Sequence, residues 1–185
     1  MADDIRITID NQTVRAGLRE LAGRIGNLSP ALKVIGERMV EWTFERFNRG
    51  GPAPDGTPWA PLKPATLKRK RGKGILRESD LLRDSVHYQL LGPSTLAEGS
   101  NRVYAAIQQL GGAVVHGARE AVLHFRRYKS GQTLFAKPRQ AHFGQKASIG
   151  EHMTHIPARP YLGVSAENAV EIVGIINQYL MGRSK

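Results

Sequence analysis

Ile5, Ile7 and Ile9 alternate with Arg6, Thr8 and Asp10, the period-two pattern of a half-buried strand. The period then lengthens. Val14, Leu18, Leu21 and Ile25 recur at helical spacing, and Gly26-Asn27 supplies a stop. Ser29-Pro30 reads as an N-cap followed by proline at the first helical position. From there Leu32, Ile35, Met39, Trp42 and Phe47 form one apolar stripe that Gly50-Gly51 ends. The pattern predicts a helical hairpin or a bent helix.

Residues 50–64 break every period. Five prolines fall in these fifteen positions, which excludes regular helix and a central strand. The segment reads as an extended loop pinned by Trp59 and Leu62. Residues 65–71 suit one or two basic helical turns, and Ser79 or Asp80 is placed to cap a short helix through Leu81 and Leu82. Residues 86–91 and 95–99 bracket Gly-Pro-Ser as a hairpin; residues 103–110 suit either helix or strand, with Tyr104, Ile107 and Leu110 favouring a short helix closed by Gly111-Gly112. Strands are predicted at 114–116, 121–128 and 133–135. The polar stretch 137–150 shows no clear period, and Ile156-Pro157-Ala158-Arg159-Pro160 reads as rigid and extended. Ser165 is a good N-cap for a last helix with Ala169, Val170, Val173, Ile176 and Leu180 on one side. The class is α+β: an N-terminal strand and helical hairpin, an antiparallel, hairpin-rich middle, and a C-terminal helix. It reads as one domain over 1–185, with extended loops at about 50–64 and 117–150.

Composition narrows the chemistry. The chain has 185 residues, 27 Lys+Arg against 16 Asp+Glu, a formal charge of +11 and no cysteine. That excludes a disulfide scaffold, a thiolate zinc site and a cysteine nucleophile. The acidic start Met-Ala-Asp-Asp is unlike a signal peptide, and the longest apolar run, near 169–181, is interrupted and too short to span a bilayer. Assembly in the cytoplasm is the expectation. The charge points to nucleic acid, an acidic protein surface or an acidic membrane face, and the want of an amphipathic anchor with basic edges removes the membrane.

The charge is concentrated. Lys68, Arg69, Lys70, Arg71, Lys73 and Arg77 make one cluster; Arg126, Arg127, Lys129, Lys137, Arg139 and Lys146 make a second. Such clusters neutralise phosphates without reading sequence, or are simply solvated faces. No run of interleaved aromatics suggests a base-stacking platform. The histidines 87, 116, 124, 142, 152 and 155 do not form a ligand motif: Glu151-His152-Met153-Thr154-His155 lacks the HExxH order, and a strand would turn His152 and His155 to opposite faces. No nucleophile elbow, P-loop or dinucleotide fingerprint occurs, and no carboxylate pair stands out. No enzyme, metal or cofactor is expected. Trp59 is either an interface anchor or a pin holding its loop to the helix of Trp42.

Several ordered pieces carry a resemblance. They are Phe44-Glu45-Arg46-Phe47, then Asp55-Gly56-Thr57-Pro58-Trp59-Ala60-Pro61-Leu62 with Thr66, then residues 76–85 around Ser79-Asp80-Leu81-Leu82, then residues 103–112, and finally Ile156-Pro157-Ala158-Arg159-Pro160-Tyr161-Leu162-Gly163. In this order the chain resembles the phage virion morphogenesis, or tail completion, proteins of Mu-like tailed phages. Gln108 stands where many relatives have a histidine, which suits a structural role for that segment. The resemblance implies a non-enzymatic structural protein of the virion, acting in head–tail joining as a tail completion, tail terminator or neck protein. It implies a homo-oligomeric ring, taken as a hexamer, assembled in the host cytoplasm and placed at the neck or top of the tail. Its partners would be other head–tail joining and tail tube proteins, with phage DNA passing non-specifically through the lumen. The basic residues would face DNA or neighbours. Asp55, Gly56, Trp59, Pro61, Leu62, Pro157, Arg159 and Pro160 would anchor loops or interfaces. The alternative is a freestanding cytoplasmic protein that binds nucleic acid non-specifically.

Overall fold

The structure is a computed structural model that describes residues 12–182, so the strand expected at Ile5, Ile7 and Ile9 lies outside the described residues. The chain divides into two compact units, one of residues up to Leu110 together with those from Ala158 onward, the other of Gly111–Pro157.

The first unit is built on helix α2 (Ser29–Arg49), with α1 (Gln12–Gly26), α3 (Pro64–Arg69), α4 (Ala105–Leu110) and α5 (Ala166–Leu180) around it. The cap of α2 differs from expectation. Ser29 is already helical and Leu28 takes the cap position, while the Asn27 side chain accepts the Ser29 N–H at 3.1 Å. Pro30 has no N–H to lose there. Gly50, in the left-handed region at φ 75°, ends the helix as the sequence predicts.

One face of α2 lies on a hairpin, β1 (Val86–Leu90) with β2 (Leu96–Ser100), in which Val86 stands opposite Ser100. Gly36 makes that approach possible: a Cβ there would sit 2.4 Å from a Tyr88 ring carbon. Gly36→Ala is therefore expected to lower stability by about 1–3 kcal/mol through overpacking, read as a shifted denaturation midpoint with unchanged slope. The core joins Phe47, Ala53, Trp59, Leu82, Val86, Ala105 and Tyr161. Ser79 and Asp80 cap no α-helix. Asp80 sits at φ 57°, binds Arg77, and is followed by a single 3-10 turn, Arg83–Ser85.

Helical periodicity locates both terminal helices but not what they cover. The Val14, Leu18, Leu21 and Ile25 stripe of α1 is exposed. Helix α5 has its capping box, in which Ser165 accepts the Asn168 N–H. Its inward side carries Ile172, Ile175, Ile176 and Tyr179, while Val170 and Val173, expected inside, are exposed. Apolar residues surround so much of α5 that the pattern alone could not choose a face.

The second unit corrects the extended loop expected over 117–150, which is largely β-structure. Strand β3 (Gly112–His116) pairs antiparallel with β7 (His152–Ile156), and β4 (Arg119–Arg127) pairs with β6 (Phe143–Ile149) on one side and β5 (Thr133–Phe135) on the other. One register runs from Gly112 opposite Ile156 to Phe125 opposite Phe143, interrupted only between the two ladders. At about 3.4 Å per residue the β4–β6 ladder of this ribbon is about 20 Å long. The signal for β6 and β7 was weak because polar Gln145, Lys146, Ser148 and His152 fill a ribbon with little to bury them.

Candidate functional site: a clasped proline loop, a basic turn and an exposed ribbon

The proline-rich loop is held by polar clasps as much as by apolar contact. Trp59 is buried against Phe47, ring centroids 6.0 Å apart and edge-on, and its Nε1 donates to the Pro160 carbonyl at 2.8 Å. Arg159, also buried, donates from Nε to the Ala60 carbonyl at 2.9 Å and from Nη2 to Pro61 at 3.3 Å. Trp59, Pro61, Arg159 and Pro160 are thus brought together, with Leu62 half-buried beside them in sequence. Trp59 pins its own loop, through Phe47 and Pro160. Asp55 and Gly56 form the exposed tip, where Asp55 accepts the Thr57 N–H at 2.9 Å and Gly56 takes φ 84°. That hydrogen bond holds the Asp55 carboxyl below its usual range. Pro157 is exposed at the end of the second unit.

Sequence reasoning missed three members of this assembly. Gln109 accepts the N–H groups of Tyr161 and Leu162 at 2.9 and 3.0 Å and returns a bond to the Leu162 carbonyl. Arg46, buried on α2, donates to the Tyr161 carbonyl, and burial pushes its pKa down. Burial pushes Glu98 up, opposed by the hydroxyl that Thr43 donates at 2.9 Å and by the charge of Arg46. Each works through a backbone group or a distant side chain, so no local spacing marks it. Beside the loop lies a cleft of about 590 Å³ lined by Trp42, Glu45, Pro52, Pro54, Asp55 and Glu167 among others.

The first basic cluster divides into spent and free charges. Lys70 binds Glu78 at 2.9 Å and the Arg77 carbonyl at 3.1 Å, and Arg77 forks onto Asp80 at 2.7 and 2.9 Å. Glu78 also accepts the N–H groups of Arg71 and Gly72, and the Lys70 ammonium with these two donors holds its carboxyl at about 2. Gly72 is required here, because a Cβ would lie 1.9 Å from the Arg77 carbonyl oxygen. Lys68, Arg69, Arg71 and Lys73 are exposed, and none has an ion pair among the described residues. A depressed carboxyl contributes stability that is full above its ordinary value of 4.5 and is lost as pH falls through about 2. An NMR titration of Glu78 should therefore show a midpoint near 2, with the Arg71 and Gly72 amides moving alongside it. A midpoint near 4.5 would mean the turn does not close in solution.

The second cluster lies on the ribbon unit, which carries seven Lys/Arg and two acids, Glu120 and Glu151, over 111–157. Arg126, Arg127, Lys129, Lys137, Arg139 and Lys146 are all exposed, and Arg126 lies over the Tyr128 ring at 5.4 Å. Arg119, not singled out from the sequence, belongs with them. His152 stacks on His116 with centroids 4.8 Å apart, and His155 takes the opposite face of β7. No group of three or more metal-ligating side chains forms among the described residues. Sequence reading found no aromatic platform, yet pairing brings Phe125, Phe135 and Phe143, from three strands, into one row. Linear spacing cannot show that.

The chain matches a family model, described as the phage virion morphogenesis family, over residues 9–181. No curated protein and no solved structure matches it.

Proposed function

The chain belongs to the phage virion morphogenesis family, and from that premise we propose that it joins head to tail, as a tail completion, tail terminator or neck protein. Family membership carries a structural or assembly role in the virion. The observation that supports the finer reading is the match over nearly the whole chain, joined to apolar surface that the described residues leave uncovered: the α1 stripe, Val170 and Val173 of α5, and the ribbon's phenylalanines. Surface of this kind marks contact with other proteins. The chain assembles in the host cytoplasm into a ring of identical copies, taken as six, seated at the neck or top of the tail against other joining and tail tube proteins. Imaging of intact particles tests this. A closed ring of this chain between head and tail is expected; its absence from purified virions, or its presence only elsewhere in them, would overturn the reading.

DNA enters as a second contact of the same ring. Lys68, Arg69, Arg71 and Lys73 are free to meet backbone phosphates in a lumen, whereas Lys70 and Arg77 are committed to Glu78 and Asp80. Replacing those four by glutamine is expected to weaken non-specific DNA binding. The slope of log K against log salt should flatten by about 0.9 for each phosphate no longer neutralised. An unchanged slope would assign these residues to a protein-facing surface. The seven-to-two imbalance of the second unit favours a further reading, a freestanding nucleic-acid-binding protein. A monomer absent from virions that binds DNA at moderate salt would select it.

A further inference from the structure

The ribbon of the second unit has one apolar face with charged ends. Residues opposite one another in an antiparallel pair share a face. The register therefore puts Leu123, Phe125, Phe135 and Phe143 on one side, with Arg119 and Arg127 flanking them. Phe125 stacks on Phe135 at 5.0 Å and on Phe143 at 5.5 Å. Phe135 remains 75% exposed and Phe143 43%.

Two alternatives for this face are disfavoured by what is on it. Phe125 is covered on both sides by its neighbours, so bases could use only the outer faces of Phe135 and Phe143, a shorter platform than a run of separate rings. Face-to-face pairing with the same surface of another copy would set Arg119 and Arg127 against their own kind, in a unit with seven basic residues and two acids. The face needs an apolar recess edged with carboxylates.

The first unit has one. The cleft beside the proline loop has apolar walls at Trp42, Pro52 and Pro54, and the carboxylates of Glu45, Asp55 and Glu167 line it. Of its two cations, Arg46 is turned onto the Tyr161 carbonyl and Arg49 is paired with Glu45 at 2.7 Å, so Asp55 and Glu167 are the lining carboxylates without an ion pair among the described residues. Its volume of about 590 Å³ falls within the roughly 300–1,000 Å³ of ligand-holding pockets. We propose that the phenylalanine face of one copy docks in this cleft of a second copy, with Phe135 inserted and the flanking arginines facing the carboxylates. The two patches differ, so the contact is heterologous, and repetition of it closes a ring or runs on as a filament. This inference rests on the self-assembly reading above and specifies its surfaces.

The absence of cysteine makes the test direct. Chains carrying Thr133→Cys, beside Phe135 on the same face, and chains carrying Ala166→Cys, at the edge of the cleft, both at solvent-accessible positions, are mixed and treated with a short bis-maleimide. The wild-type oligomeric state is measured by light scattering. The expected product is a mixed dimer, with little product from either variant alone and none when Thr95→Cys replaces Ala166→Cys. Dimers from Thr133→Cys alone would show that phenylalanine faces meet, overturning the docking. An oligomeric wild type without the mixed product would overturn the docking and leave the ring. A wild type that stays monomeric to its solubility limit and gives no product would overturn both. Loss of single-stranded oligonucleotide binding in Phe135→Ser, with the oligomer intact, would assign the face to nucleic acid instead.

Discussion

Phe47→Ala is expected to cost the first unit about 3–5 kcal/mol, the usual range for emptying a phenylalanine site in a core. Phe47 is fully buried, and its ring meets Trp59 at 6.0 Å and Tyr161 at 5.1 Å. It is therefore the point where α2, the proline loop and the segment before α5 converge. The proline-rich loop can shift little to fill the void, because Trp59 and Arg159 tie it to backbone carbonyls. Set against a typical total of about 5–15 kcal/mol, such a loss leaves little margin. Chemical denaturation followed by tryptophan fluorescence reads the effect, since Trp42 and Trp59 both belong to this unit. Val103→Ser, at a residue 99% exposed, is the matched control and should leave the midpoint within about 0.5 kcal/mol of wild type. A Phe47→Ala midpoint equally close to wild type would show that the core is not organised around this ring.

Arg159→Met is expected to release the proline-rich loop, with a stability loss of about 1–2 kcal/mol. The substitution removes the donors to the Ala60 and Pro61 carbonyls and leaves the acceptor of half-buried Ala60 unmet, at about 1–3 kcal/mol for a fully buried group. Pro61 is exposed, so its carbonyl regains water and the cost stays near the lower end. Arg159→Lys should rescue little, because a single ammonium cannot reproduce the planar fork that spans two carbonyls. Limited proteolysis supplies the second readout. Cleavage within 50–64 should appear in both variants before global unfolding, and full rescue by lysine would reduce the role of Arg159 to its charge.

These two sites show how the legible and illegible parts of the chain differ. The loop announced itself, because five prolines admit no regular structure. That Trp59 pins it was one of two readings open in the sequence. What chose between them was the Pro160 carbonyl, a backbone atom from a segment 101 residues away. The basic turn was visible as charge and misleading as surface, since Glu78 and Asp80 withdraw Lys70 and Arg77 from it. The ribbon was half visible. Strands β3, β4 and β5 followed from β-branched and aromatic runs, whereas β6 and β7 carry polar residues that only pairing with β4 and β3 explains.

By itself the sequence determined the α+β class, the positions of all five described helices and the Val86–Ser100 hairpin, and, through ordered motifs spread along the chain, a resemblance that the family match over 9–181 establishes as membership. Those features depend on local propensity, capping, turn chemistry and periodicity, which neighbouring residues encode. Tertiary structure decided which face of α5 is covered, that the described residues leave the α1 stripe open, which basic residues have no ion pair among them, and that three phenylalanines meet on one face. Each of these depends on a partner far away in the chain. Burial, ion pairing and side-chain stacking act across space, so a pattern read along one dimension carries the residues for them without carrying the choice.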